Sequence, residues 1–111
     1  VILGAFGAHA FKDVLSPSEI KSFETGVRYQ MYHALFLLFV NNFKAFSRKQ
    51  KNYITLFIIL GVFLFSGSIY IINLTSINPK FIWYITPLGG VCLIIGWLMS
   101  IIILLKKSTK K

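Results

Sequence analysis

The chain has 111 residues, of which 56% are hydrophobic and only 14% are charged, and its formal net charge is +9. Soluble domains average about 25% charged residues, so this composition excludes an ordinary soluble domain. The length allows a single domain, and the lone cysteine, Cys92, excludes an internal disulfide.

The first predicted element is an apolar helix over Val1–Phe11. Because the chain starts at Val and not at Met, we expect this segment to be the second half of a first membrane span whose beginning is missing. Gly4, Gly7 and Ala8 are small enough to let another helix pack closely. His9 ends the segment near the predicted outer boundary of the membrane.

A polar segment, 12–26, follows and is predicted to lie outside the membrane. Ser16 can cap a helix there, and Glu19 can complete a capping box with it. Glu24 and Arg28 are four residues apart with the acid first, which favours an ion pair on the surface of this interfacial helix.

The second predicted span is Val27–Phe46. Arg28 and Lys44 bracket only 15 uncharged residues, about 22 Å of helix, which is short for a crossing. Long basic side chains can reach the headgroups from inside the membrane boundary, so 20 residues suffice. The alternative is a buried or interfacial helix.

The third and fourth spans are the clearest elements. Residues 53–74 and 81–105 contain no charged side chain over 22 and 25 residues, and about 20 apolar residues cross the hydrocarbon core of a bilayer. The fourth span, 82–105, contains Pro87, which either starts the regular helix after Thr86 or kinks a longer one. Gly89, Gly96 and Ser100 share one face and predict close contact with another helix.

The basic residues predict the topology. Eight of the twelve lie in two clusters without acids, and basic residues beside a span favour the cytoplasmic side. Both clusters can lie on the cytoplasmic side only if two spans separate them. With the two earlier spans, this predicts four spans in the plasma (inner) membrane and places both termini inside the cell. The clusters either set this orientation alone or also contact anionic lipid; their members are Lys44, Arg48, Lys49, Lys51, Lys106, Lys107, Lys110 and Lys111.

Polar groups within or beside the spans provide the functional clue, since such groups usually face the interior of a helix bundle. The spacing predicts one cluster in the outer halves of three helices. Its candidate members are His9, Tyr29, Gln30, His33, Ser66, Tyr70 and Asn73.

Three interpretations of this cluster remain open. It holds the bundle together by hydrogen bonds between helices, it forms an outward-facing binding or permeation site, or His9 and His33 bind a haem iron. We favour the first, and with it a protein that binds no cofactor or metal. No carboxylate follows Glu24 and no zinc-type set of Cys and His is present, so we predict no enzyme.

Four ordered motifs run along the chain: GAFGAHAF at 4–11, ETGVRYQMYHAL at 24–35, FSGSIY at 65–70 and ITPLGG at 85–90, followed by Gly96-Trp97. They resemble the domain-of-unknown-function 423 family, small bacterial membrane proteins related to eukaryotic transmembrane protein 256. The resemblance covers essentially the whole chain and implies a four-helix membrane protein without an assigned activity.

We therefore predict an all-α membrane protein, a four-helix transmembrane bundle in one domain over 1–111. Its partner is the lipid bilayer and not nucleic acid, because the basic residues flank spans instead of covering a polar surface. We expect a structural or interaction component, with a homo-oligomer or another membrane protein as a possible partner. The alternative is a small-solute carrier or channel with an outward-facing polar site.

Overall fold

The computed structural model describes residues 1–109, and these residues are helical without a strand. The bundle measures 56 × 28 × 19 Å and is therefore a long, flattened body. Lys110 and Lys111 of the second basic cluster lie outside the described residues. The elements are α1 (Ile2–Ala8), α2 (Pro17–Asn42), α3 (Arg48–Leu74), a short 3-10 helix (Pro79–Phe81) and α4 (Ile85–Thr109).

The long helix α3 lies between α2 and α4 and packs against both, and α1 packs on α2. α3 and α4 run antiparallel. Along their contact, the residue numbers on α4 increase while those on α3 decrease. The meeting pairs are Gly89 with Phe65, Leu93 with Gly61, and Gly96 with Ile58.

The main apolar core lies in the half of the bundle where α2 ends and α3 begins. Phe36, Val40, Ile54 and Ile58 form it together with Phe46, which belongs to the connection between the two helices. Phe46 is only 3% exposed, so this connection folds back under the helices instead of continuing α2. The prediction of a helical span to Phe46 is wrong at that end, since α2 stops at Asn42.

Helices α2 and α3 each start with a capping box. Ser16 Oγ accepts from the amide of Glu19 at 3.2 Å and the Glu19 carboxylate accepts from the Ser16 amide at 3.1 Å, which confirms the predicted cap. The same arrangement joins Ser47 and Gln50 at the start of α3 and was not predicted. It starts α3 at Arg48, five residues before the predicted span.

The two remaining helices also differ from the predicted limits. α1 ends at Ala8, and turns follow it, so the predicted helix over Val1–Phe11 is too long. α4 begins at Ile85, so Pro87 lies in its first turn: the helix does not start at Pro87, and Pro87 is not in the interior, where proline kinks form. Pro87 is tolerated there because the first four amides of a helix have no intrahelical acceptor. Thr86 does not cap the helix; its hydroxyl contacts that of Ser68 on α3.

Two of the helices, α3 and α4, combine the length and the hydropathy that a membrane crossing requires. α2 has sufficient length, 26 residues, but its first half carries Glu19, Lys21, Glu24 and Arg28. These charges lie at one end of the bundle. The opposite end, named the basic end below, carries the side chains of Lys44, Arg48, Lys49, Lys51, Lys106 and Lys107.

Candidate polar network between the helices

Both nitrogens of the His33 ring are hydrogen-bonded, and one of these bonds connects α2 to α4. Nδ1 lies 2.7 Å from the carbonyl oxygen of Tyr29, one turn earlier on the same helix. Nε2 accepts from the indole N–H of Trp97 at 3.0 Å. Because a carbonyl can only accept and an indole N–H can only donate, the two partners require a neutral ring with its hydrogen on Nδ1. The ring is 4% exposed, and both of its nitrogens are occupied.

Trp97 is one of the network members that the sequence did not predict. Its ring stacks on Phe36 of α2 with the ring centroids 3.9 Å apart, while its edge faces His33. A buried indole N–H normally finds an acceptor, so a tryptophan in the middle of an apolar span could have indicated a polar partner. The sequence alone does not say which helix supplies that partner.

Ser66 joins α3 to the backbone of α2. Its hydroxyl donates to the carbonyl oxygen of Gly26 at 2.8 Å, and the serine is 1% exposed. Gly26 permits this approach, since a Cβ atom there would lie 2.9 Å from the ring of Tyr70. A helical carbonyl has a second lone pair, so it accepts this bond without losing its place in the helix.

Two more contacts join α2 to α3 nearer the end of the bundle that lies opposite the basic end. The Tyr70 hydroxyl donates to Oε1 of Gln30 at 2.6 Å, with Gln30 on the exposed side of the seam. The amide nitrogen of Asn73 donates to the hydroxyl of Ser22 at 3.2 Å and to the carbonyl of Ile69 at 2.9 Å. Ser22 was not among the predicted members.

Further polar contacts outside the predicted set lie along both seams. Ser68 on α3 pairs with Thr86 on α4, and the amide of Asn41 on α2 donates to the hydroxyl of Thr55 on α3 at 3.1 Å. Among residues 1–109, every buried side-chain nitrogen or oxygen has a hydrogen-bond partner. The network is therefore satisfied within the protein.

His9 does not join this network. It is exposed directly after the end of α1, where it borders a cleft with Phe6 and Ala10. Grouping it with His33 is therefore wrong, and the haem alternative fails with it. Both nitrogens of His33 are engaged in hydrogen bonds, and His9 and His33 border different clefts.

The small residues divide between two seams. A Cβ at Gly4 would lie 3.3 Å from Val27 and one at Gly7 would lie 2.9 Å from Phe23, so both glycines set the contact of α1 with α2. Ala8 is exposed and takes no part in it, contrary to the prediction.

The second seam joins α3 and α4 and is much tighter. A Cβ at Gly89 would collide with the backbone of Phe65, and one at Gly96 would lie 2.5 Å from Ile58. Ser100, 3% exposed, turns its hydroxyl back to the carbonyl of Gly96 at 2.9 Å. The two backbones therefore touch without a polar bond across this part of the seam.

Glu24 and Arg28 form the predicted pair on α2 with 4.0 Å between the nearest charged atoms. Both side chains are more than half exposed, so solvent screens the attraction and the pair stabilises the fold little.

The sequence profile of a family described as "Protein of unknown function (DUF423)" matches residues 3–90 of this chain. The chain belongs to the DUF423 family. Bacillus subtilis strain 168 has a relative, UPF0382 membrane protein YwdK, that is 41% identical over 107 residues, covering 94% of this chain and 85% of YwdK. A UPF0382 membrane protein of Staphylococcus epidermidis strain ATCC 12228 is 40% identical over 103 residues, covering 93% of this chain and 83% of the relative.

A more distant relative in the DUF423 family is UPF0382 inner membrane protein YgdD of Escherichia coli strain K12. It is 34% identical over 106 residues, which cover 92% of this chain and 77% of YgdD. No solved structure matches the chain. Together with the apolar helices α3 and α4, these names confirm the prediction of an all-α integral membrane protein from a family of unknown function.

Proposed function

We propose that the protein is a structural or interaction component of the membrane and not an enzyme. The observation that carries this proposal is the satisfied network between the helices. His33, Ser66 and Asn73 are buried, and their polar atoms bond to other helices or to their own backbone. Every buried side-chain nitrogen and oxygen of the described residues already has a partner within the protein, as expected of polar groups that hold helices together.

The proposed setting is the plasma (inner) membrane, with four crossings and both termini in the cytoplasm. The printed name of YgdD supports the inner membrane. The basic end supports the orientation, because the end of α2, the start of α3 and the end of α4 meet there with basic side chains and no acidic one. The exposed apolar faces contact the hydrocarbon core of the bilayer. A second copy of the chain or another membrane protein would bind to these faces.

A second candidate function, a small-solute carrier or channel, is favoured by one observation. Gln30 is exposed beside Tyr70 and borders an open cleft of about 210 Å³ between α2 and α3, together with Ser66. Gln30 accepts from Tyr70 through Oε1, which leaves its NH₂ group directed away from that bond. A carrier would use this cleft as its outward-facing site.

Paired substitutions of His33 test the structural proposal. In His33→Gln the amide oxygen can still accept from Trp97, whereas His33→Leu leaves the indole N–H without an acceptor. We expect His33→Gln to rescue a deletion strain and to keep normal abundance in the membrane, and His33→Leu to lower abundance.

Gln30→Leu separates the two candidate functions. Gln30 is exposed, so a structural role predicts near-normal abundance and growth, while a carrier site predicts loss of the growth phenotype at normal abundance. The readout is complementation together with membrane abundance. Loss of growth with both His33→Gln and Gln30→Leu in a folded, inserted protein would overturn the structural proposal.

A further inference from the structure

The fold brings two basic clusters that are distant in sequence to one end of the bundle. Arg48 precedes Ile58 by ten residues on α3, and Lys106 follows Gly96 by ten residues on α4. Ile58 and Gly96 are in direct contact on antiparallel helices, so both basic residues lie about 15 Å along the bundle from that contact. They therefore reach the same level.

The helices stay together as far as this level. Ile54, Ile103 and Leu104 belong to one packed core with Phe46, which closes the bundle beneath the basic residues. Arg48, Lys49, Lys106 and Lys107 are exposed around this closed end. The surface is thus a fixed platform instead of a set of separated helix tails.

This platform has no negative side chain to neutralise it. The chain has three acidic residues, Asp13, Glu19 and Glu24, and all precede the middle of α2, toward the opposite end of the bundle. The positive charge comes from the side chains alone, because α2 and α4 end where α3 begins and their helix dipoles oppose that of α3. The ligand that complements this positively charged surface is therefore an anion.

The apolar surface next to the platform identifies the kind of anion. Leu56 on α3 and Leu105 on α4 each leave 60% of their surface exposed within about two turns of the basic side chains. Tyr53 is 49% exposed at the same boundary, a position where tyrosine anchors to the headgroup region. A ligand with one anionic head and long apolar chains matches both surfaces at once.

We propose that the basic end is a binding site for anionic phospholipid. Arg48, Lys106 and Lys107 hold the headgroup phosphate, and the acyl chains lie along the outer faces of α3 and α4. Basic residues near a membrane surface each favour anionic lipid, and here six converge. This inference goes beyond the proposed function and holds for either candidate function.

Native mass spectrometry of the detergent-solubilised protein tests the site, because detergent removes any effect of these charges on insertion. The probes are phosphatidylglycerol, phosphatidylcholine with the same acyl chains, and inorganic phosphate. We expect phosphatidylglycerol to be retained in preference to phosphatidylcholine. The triple variant R48Q/K106Q/K107Q should lower the apparent affinity for phosphatidylglycerol by about tenfold or more.

The matched control, K12Q/K21Q/K80Q, removes three positive charges outside the basic end and should change that affinity by less than about twofold. The charge-conserving variant R48K/K106R/K107R should keep the preference, and thermal melting shows whether each variant is folded. Should R48Q/K106Q/K107Q fail to fold, salt takes its place: rising NaCl must weaken phosphatidylglycerol retention more than that of phosphatidylcholine.

Three outcomes would overturn the proposal. They are equal retention of the two lipids by the natural chain, equal losses in the two glutamine variants, and complete displacement of phosphatidylglycerol by inorganic phosphate at the same concentration. The last would assign the surface to a free anion.

Discussion

Gly89 and Gly90 are adjacent on α4 and differ completely in what an added methyl group would meet. A Cβ at Gly89 would lie 2.8 Å from the Cα of Phe65 and closer still to its amide nitrogen. A Cβ at Gly90 would find its nearest atom, on the ring of Phe65, at 3.9 Å. Ordinary van der Waals contact begins near 3.4 Å, so only the first substitution forces α3 and α4 apart.

The expected cost of Gly89→Ala follows from this geometry. Overpacking a well-packed core costs about 1–3 kcal/mol, and the upper end applies because backbone atoms of Phe65 cannot rotate away. Alanine is favoured over glycine in a helix by about 1 kcal/mol, which offsets part of that cost. We expect a net loss of about 2 kcal/mol, or about thirtyfold in the folding equilibrium. Gly90→Ala keeps only the favourable term and should be neutral or stabilising.

The assay is reversible unfolding in mixed micelles, with helix content or a fluorescent reporter on α4 as the signal. Gly96→Ala should fall between the other two variants, since its Cβ meets the flexible end of the Ile58 side chain and not backbone. If Gly89→Ala and Gly90→Ala unfold at the same midpoint, the tight seam between α3 and α4 does not exist as described.

Three further predictions address topology, the network and the helix cap. In a cysteine-free background, a cysteine placed at Ser18 should react with a membrane-impermeant thiol reagent in intact cells and one at Lys49 should not; labelling at Lys49 from outside would contradict the four-span topology. Trp97→Phe keeps the stacked ring but removes the N–H that His33 accepts, so we expect a loss of about 1–3 kcal/mol in the same unfolding assay, and an unchanged midpoint would show that the bond contributes nothing. The pKa of the Glu19 carboxyl is lowered, first by the backbone hydrogen bond from Ser16, so the cap stabilises α2 above the ordinary glutamate pKa and is lost as pH falls through the lowered value. Amide exchange at the start of α2 should show this loss relative to the equivalent glutamine box of α3, which does not titrate; parallel behaviour of the two boxes would refute it.

Much of the fold follows from the sequence because a segment that crosses the hydrocarbon core must be long, apolar and free of charged residues. The charge-free stretches 53–74 and 81–105 predicted α3 and α4, and Ser16 with Glu19 predicted the start of α2. The ends of α1 and α2 and the start of α3 were predicted less well. Phe46 has the same hydropathy whether it continues a helix or folds beneath one, and only packing distinguishes the two.

The candidate site could likewise be predicted only in part. The sequence predicted the helix face on which a residue lies, but not the helix that it contacts. Spacing placed Tyr29, Gln30 and His33 on one stripe of α2, but the stripe is shared by two neighbours. Gln30 bonds to α3 and His33 bonds to α4. A 3.6-residue period gives the side of a helix on which a residue lies, and it contains no information on which helix covers that side.

The long sequence separation of these bonds has a consequence for biosynthesis. His33 is made 64 residues before Trp97, and Gln30 is made 40 residues before Tyr70. At about 5–20 residues per second, the ribosome takes roughly 3–13 s to supply the indole that His33 requires. In the proposed topology α2 thus enters the membrane as the most polar helix of the bundle and waits there, incompletely paired, until α3 and α4 arrive.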